Sequence, residues 1–597
     1  MHSSDSIPAE PAVLALADRL DGRFALWAGP LSDGVKACLE RLSHERVLER
    51  LFAREPALWS ADPAVQATIA NRLGWLGSPD SMVESVPRLT AFAAAIRDGG
   101  FTHVVLLGMG GSSLAPEVMR AMLGVRPGWP AFHMLDSTDP AAVLAIEQAI
   151  DIDHTLFLLA SKSGGTIEPN SMAAYFRSRI EVRGVARWAD RFVAITDEGT
   201  ALHRRAVDEH FREIFVNRSD IGGRYSAVSF FGLVPAALMG HDVAAMIDWA
   251  RAMLWVCGPG RPVGTNSAML LGAAMSLGAQ HGRDKLTLAA PPPLESFGLW
   301  VEQLVAESTG KHGHGVVPIA GERLAAASSY GPDRVMVHLG LVGQTSAAIR
   351  DQIREMASSG MPIAQIELPE AEALAAEFVR WELATAIAGV LLGVNPFDEP
   401  NVQQAKDATQ RLLAHYAENR HLAPPPSTRL IAGQYAWLSA CAQAVVGDGG
   451  AGRFLSVVEP GDYLAILAFV GPDPALAAAL ARLRESAREL TRAATTLGYG
   501  PRYLHSTGQL HKGGAGNGVF LVLTTDPVTD VAIPGQGFSF GTLELAQALG
   551  DVASLDAAGR RVLHIHLPRP EPALVDAICR ALTDGLVRAD LHKVIST

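Results

Sequence analysis

Cysteine is scarce in this chain. The four present in 597 residues, Cys38, Cys257, Cys441 and Cys579, are far apart and form no C-x-x-C pair. That distribution argues against a disulfide framework or a zinc cluster and fits a reducing cytoplasm. Positive charge is also short. A net charge of −12 leaves no electrostatic footprint for nucleic acid or an anionic membrane, so an anionic ligand must be held locally against the global field. Long apolar runs are missing as well. The longest, Leu383 to Val394, falls well under the roughly 20 residues a spanning helix needs and reads as a buried core helix. Met1 to Glu10 is polar, with no apolar centre, and does not read as a signal peptide. There is no heptad run and no fixed-period repeat. What the chain does have is 48% hydrophobic and 19% charged residues, the balance of a compact globular protein of about three or four domain-sized units.

Residues 1–100 read as helical, with apolar residues at helical spacing over Ala12–Leu20, Val35–Phe52 and Val65–Leu73. From Phe101 onward strands and helices alternate. Strands are predicted at Thr102–Leu107, Ala131–Leu135, Thr155–Ala160, Phe192–Thr196 and Glu213–Val216, with a helix at Leu114–Leu123. Such alternation implies a doubly wound parallel sheet with helices on both faces. A turn-rich break at Gly258-Pro259-Gly260 closes this unit at 101–257 and opens a second at 258–422, with a helix at Asn266–Ala279 and a strand at Lys285–Ala290. Ala423-Pro424-Pro425-Pro426 reads as the boundary of a third α/β unit, 423–597. Its expected strands are Tyr463–Val470, Gly518–Thr524 and Val562–Leu567, and its long helix is Ala475–Thr496.

Four segments carry chemistry. Ser161-Lys162-Ser163-Gly164-Gly165-Thr166 follows an apolar run and leads into an amphipathic stretch from Asn170 to about Ile180. Strand, hydroxyl- and glycine-rich turn, then helix is an arrangement that holds a phosphate, because the helix end offers unpaired N–H groups and a positive dipole end. Gly108-Met109-Gly110-Gly111-Ser112-Ser113 is a second such turn directly after a strand. It ends in serine where a dinucleotide fingerprint requires a third glycine, which disfavours a nucleotide cofactor. In Gly222-Gly223-Arg224-Tyr225-Ser226 a guanidinium follows two glycines, well placed for an anionic intermediate. Gln303 and Glu307 lie four apart on one helix face that Gly310 ends. A glutamate near a helix C-terminus sits at the unfavourable end of the dipole, which suits a general base.

These segments, with Gly393-Val394-Asn395-Pro396-Phe397-Asp398-Glu399-Pro400 leading to Lys406, resemble the glucose-6-phosphate isomerase family. In detail they resemble the isomerase half of transaldolase–isomerase fusion proteins. A transaldolase half would need its own barrel of about 250 residues, so its absence here is expected. The resemblance implies two sugar-isomerase (SIS) type doubly wound parallel-sheet domains, flanked by the N-terminal helical segment and the extra C-terminal α/β domain. It implies aldose–ketose isomerisation of glucose 6-phosphate and fructose 6-phosphate through a cis-enediol, with no metal or other cofactor. Ser161, Ser163 and Thr166 would cradle the phosphate with Lys162 in the same loop. Gly111, Ser112, Gly223 and Gln303 would face the sugar. Arg224 would steady the enediolate, Glu307 would move the proton between C2 and C1, and Lys406 would sit near the ring oxygen. Alternatives are a related phosphosugar isomerase that also accepts mannose 6-phosphate, or a non-catalytic phosphosugar-binding regulator. A binder needs the phosphate loop but neither Glu307 nor Arg224.

Three departures stand out. Gly165 replaces a threonine common in relatives. Glu399 replaces a glutamine, and an acid there repels a phosphate unless it faces away or pairs with Lys406. The family's segment carrying a ring-opening histidine after the base is not recognisable. His312, His314 and His338 lie in the expected stretch, but His338 sits in a strand-like run. The loop Tyr503–Gly514 instead concentrates histidines, hydroxyls and glycines; it either closes over the site and supplies His505 or His511, or is a structural loop capping the third domain. Family members usually dimerise; a C-terminal domain that replaces a partner's contribution would permit a monomer.

Overall fold

The structure is a computed structural model that describes residues 10–185, 187–422 and 429–596. The proline-rich boundary expected at Ala423–Pro426 lies outside the described residues, as does the polar stretch Met1–Ala9. Three sheets order the molecule. The N-terminal segment contributes a strand, β1 (Phe24–Trp27), beside its helices. The first sheet is formed by β2 (His103–Leu107), β3 (Ala131–Leu135), β4 (Thr155–Ala160), β5 (Phe192–Asp197) and β6 (Glu213–Asn217). All are parallel, in the order β3-β2-β4-β5-β6. Its central strands are apolar on both faces because helices cover both sides; β4 and β5 are buried throughout.

The second sheet contains β7 (Lys285–Ala289), β8 (Val317–Ile319), β9 (Arg334–Leu341) and β10 (Ile363–Leu368). Its order is β1-β10-β9-β7-β8, parallel except for β1, which pairs antiparallel with β10 from Phe24↔Ile366 to Trp27↔Ile363. Read from β8, this repeats the strand order of the first sheet, with β1 in the place of β6. The N-terminal segment is therefore not purely helical, and the second sheet is not wholly parallel. The third unit is mixed. Its strands are β11 (Arg429–Ile431), β12 (Gln434–Leu438), β13 (Tyr463–Phe469), β14 (Ala494–Tyr499), β15 (Gly518–Thr525) and β16 (Arg561–Leu567), in the order β11-β12-β16-β15-β13-β14. The long helix read as Ala475–Thr496 stops at Thr491. Arg492 adopts a left-handed conformation at its end (φ 60°), and β14 starts two residues later.

One apolar core runs from the N-terminal helices through the first two sheets, with Trp249, Trp300 and Trp381 fully enclosed. The run around Leu383–Val394 belongs to the helix Leu374–Leu392, buried along almost its whole length. Among the described residues no helix is long and apolar enough to cross a membrane. The N-terminal segment also backs the site described next. Trp59 donates to the Ala386 carbonyl at 2.9 Å and meets Phe397 edge-on at 4.9 Å. Trp75 packs on Tyr225 at 5.1 Å.

Candidate active site

In the first sheet the chain leaves β2 for β3 on one side and later for β4 on the other. The crevice outside the carboxyl ends of β2 and β4 is where an open α/β sheet receives a ligand. Both glycine-rich turns open there. After β4 the hydroxyls of Ser161 and Thr166 converge at 3.1 Å, Ser161 accepts from the Gly164 N–H at 3.1 Å, and Ser163 accepts from the Gly165 N–H. The helix begins at Ile167, three residues earlier than its polar start suggested, with Thr166 at its N-cap. The two glycines differ. Gly164 is left-handed (φ +68°), and a Cβ there would lie 2.6 Å from the Leu202 nitrogen, whereas one on Gly165 meets nothing within 4 Å. Gly165→Thr is therefore expected to fold normally and, by adding a hydroxyl, to lower the KM for a phosphosugar. Gly164→Ala should lose about 1 kcal/mol or more of stability and raise that KM. Steady-state kinetics beside urea unfolding checks both. Lys162 is engaged outside the loop, its ammonium held by the Asp197 carboxylate at the end of β5 and the Ser219 carbonyl beyond β6.

The turn after β2 is pressed between two other segments. A Cβ on Gly111 would lie 2.1 Å from the Gly223 carbonyl oxygen, and one on Gly110 would lie 2.7 Å from that of His505. Ser112 is buried in the same turn. Gly223 opens a single 3-10 turn, Gly223–Tyr225, rather than entering a helix directly. This turn sends Arg224, 4% exposed, into a close set of acceptors. Nε donates to Ser308 Oγ at 2.8 Å, and Nη2 to the carbonyls of Pro396 (2.8 Å) and Asp398 (3.0 Å). Nη1 meets Glu307 Oε1 at 3.2 Å and Glu399 Oε2 at 3.0 Å. Glu399 thus pairs with Arg224, not with Lys406 as the sequence allowed.

Glu307 lies in the last turn of the helix Phe297–Thr309. Its other oxygen accepts from Gln303 Nε2 at 3.2 Å, as the four-residue spacing implied. Burial pushes its carboxyl above the ordinary value and Glu399 adds to this; Arg224, Lys311 and Gln303 pull the other way without cancelling it. Enclosure, rather than the helix dipole, is the main cause. Gln303 Nε2 also donates to the His505 carbonyl at 2.8 Å, and Gln303 Oε1 is buried with no hydrogen-bond partner among the described residues.

The loop Tyr503–Gly514 does reach this crevice. His505 Nε2 bonds Glu168 Oε1 at 2.8 Å, and Gln547 of the C-terminal unit donates to the same oxygen at 2.7 Å. Burial opposes the charge on Glu168, but His505 and Lys406 outweigh it and hold the carboxyl below its usual value. Lys406 itself is exposed on the helix Val402–Asn419. Gln509 fastens the same segment to the end of the Glu307 helix by donating to the Gly310 carbonyl at 3.0 Å.

His511 goes elsewhere. It is 2% exposed, bonded through Nδ1 to Tyr463 at 3.0 Å and packed among Tyr463, Tyr503 and Phe520 in the C-terminal core. Burial holds its imidazole far below the ordinary value, so the expectation that it faces the site is corrected. His338 is buried in β9, while His312 and His314 are exposed. Sequence reasoning gave no role to Glu168, Gln547, Ser308 or Gln509. Glu168 stood within the Ser161 motif, but only its juxtaposition with a histidine 337 residues away singles it out. Among the described residues no cluster of three or more His, Cys, Asp or Glu side chains could hold a metal ion.

One line of contacts therefore runs Glu399, Arg224, Glu307, Gln303, His505, Glu168, Gln547, joining all three sheet units. Residues 85–316, which carry the turns, Arg224 and Glu307, match the phosphoglucose isomerase family. The glucose-6-phosphate isomerase of Parasynechococcus marenigrum (strain WH8102) is 37% identical over 222 residues, 35% of this chain and 39% of that protein. The chain thus spans about two fifths of that relative's length. The glucose-6-phosphate isomerase of Rubrobacter xylanophilus is 29% identical over 364 residues, covering 53% of this chain and 84% of the relative. In fold, a glucose-6-phosphate isomerase from Chlamydia trachomatis superposes with a TM-score of 0.54 at 17% identity, over 68% of this chain and 96% of that one. The motif turns lie at the switch point of a sheet of the same architecture, and residues 85–316, which hold them, are similar to the phosphoglucose isomerase family.

Proposed function

We propose that the chain interconverts glucose 6-phosphate and fructose 6-phosphate through a cis-enediol. The observation that carries this reading is Glu307, a buried carboxylate held between Arg224 and Gln303. A phosphosugar binder has no use for a base with a raised pKa beside a buried guanidinium. The phosphate rests on the hydroxyls of Ser161, Ser163 and Thr166 at the start of the helix Ile167–Val182, where N–H groups and dipole favour an anion. Gly111, Ser112 and Gly223 give the sugar close backbone approach, and Gln303 Oε1 accepts one of its hydroxyls. His505, oriented by Glu168, moves the proton that opens the ring, with Lys406 on the same side. Glu307 takes the C2 proton and returns it to C1, and Arg224 stabilises the enediolate oxygen. Every step is a proton transfer between named side chains and substrate, so the reading asks for no metal. Because His505 comes from the same chain, a single copy holds the full set, and a monomer suffices.

Turnover of fructose 6-phosphate in an assay coupled to glucose 6-phosphate oxidation tests the reading. Wild-type protein is expected to turn over, and His505→Ala to lose about 10²-fold or more. His511→Phe, which refills the aromatic pocket, is expected to keep its turnover. Binding of fructose 6-phosphate without turnover by the wild type would favour the regulator. Full activity of His505→Ala would remove the ring-opening assignment.

A further inference from the structure

Glu399 touches the site in a way the steps above do not use. Four of the five N–H donors of a guanidinium suffice for Ser308, the two loop carbonyls and Glu307. Arg224 Nη1 is nonetheless shared between two carboxylates, Glu307 at 3.2 Å and Glu399 at 3.0 Å. The two differ in freedom. The Glu307 side chain is 11% exposed and also bound by Gln303, whereas that of Glu399 is 44% exposed. The backbone under Glu399 is pinned: Lys311 Nζ, fully buried, bonds the Asn395 carbonyl (2.7 Å), the Asp398 carbonyl (2.6 Å) and Asp398 Oδ1 (2.6 Å). Asn395 Nδ2 holds the other Asp398 oxygen at 2.9 Å. With the loop fixed and the carboxylate at the surface, the Glu399 side chain alone is free to leave Nη1.

We infer that Glu399 is a displaceable positioning residue: it holds Nη1 of Arg224 over Glu307 and yields it to the oxyanion of the sugar when that binds. This rests on the isomerase reading. Two consequences follow. The substrate competes with Glu399 for the guanidinium, so the acid raises KM. Its charge also adds to the burial that raises the Glu307 carboxyl. The charged and titratable groups facing Glu307 are Arg224 and Tyr225 from the 223–225 turn, Lys311 with its partner Asp398, and Glu399; the C-terminal unit meets it through Gln303. Of the acids, Glu399 is the one that raises the Glu307 carboxyl.

The test is kcat and KM for fructose 6-phosphate from pH 5 to 9 in wild type, Glu399→Gln and Glu399→Ala. The glutamine is isosteric at an exposed position, and the alanine covers the chance that an amide still bonds Nη1. KM is expected to fall about two- to fivefold, the worth of a partly exposed ion pair. The acidic limb of kcat/KM should move to lower pH, since removal of a like charge lowers the Glu307 pKa. An active wild type with KM and acidic limb unmoved in both variants would overturn the inference alone. A wild type without turnover would overturn the isomerase reading, and the inference with it.

Discussion

Glu307→Gln should lower kcat by about 10³- to 10⁴-fold, the upper range for a general base, and leave the fold intact. The amide keeps the volume and the acceptor for Gln303, and Arg224 retains Glu399, Ser308 and two carbonyls. Glu307→Asp, which draws the carboxylate back by one methylene, should cost about 10²-fold through misplacement alone. The pH behaviour separates base from bystander. Because the Glu307 carboxyl is raised, kcat/KM must climb with pH through a group titrating above the ordinary carboxylate range. The stability sign is opposite. A folded pKa above the unfolded one means the native state holds its proton more tightly. This contribution is complete below the ordinary value of 4.5 and lost as pH rises through the raised value. Melting curves of the wild type should show that loss, and those of Glu307→Gln should lack it.

Arg224→Ala should lose both function and fold stability. Removing a donor that faces a developing oxyanion costs about 10²- to 10³-fold in kcat. Breaking a buried pair by deleting one partner costs about 3–5 kcal/mol, here because Glu307 is left buried with no guanidinium beside it. The loop Pro396–Glu399 also loses its anchor to the 223–225 turn. Arg224→Lys should recover much of the stability but little of the activity. An ammonium supplies charge without the planar fork that serves Ser308, two carbonyls and two carboxylates at once. Urea unfolding and steady-state kinetics on both variants check this. Equal loss of stability in the two would show that the fork, rather than the charge, holds the site.

Much of this arrangement was written locally in the chain. The runs Thr155–Ala160 and Phe192–Asp197 are apolar without alternation because both faces are covered, and such runs reveal buried parallel strands. The Ser161 and Gly108 turns show their role through hydroxyls and glycines directly after strands. Gln303 and Glu307 meet because four residues are one helical turn. What escaped is non-local. Phe24–Trp27 is four residues at a sheet edge, and only its antiparallel partner β10 makes it a strand. The helix ending at Thr491 continues into residues of similar pattern, and Arg492, rather than a glycine or proline, makes the left-handed stop. Both His505 and His511 stand in one polar-looking loop. One reaches Glu168 and the other is walled in by Tyr463, Tyr503 and Phe520, a distinction set by packing across the third sheet. Glu399 was legible as an anomaly, but its partner lies 175 residues earlier in the chain.

The central claim is that Glu307 carries a proton between C2 and C1. Exchange with solvent measures this directly: glucose 6-phosphate is incubated in deuterated water with wild type or Glu307→Gln, and the C2 and C1 hydrogens are followed by proton NMR. The account predicts isomerisation by wild type, with deuterium entering the sugar in those turnovers where the Glu307 proton exchanges with solvent before its return, and neither beyond background with the variant. Undiminished isomerisation and uptake with Glu307→Gln would contradict it.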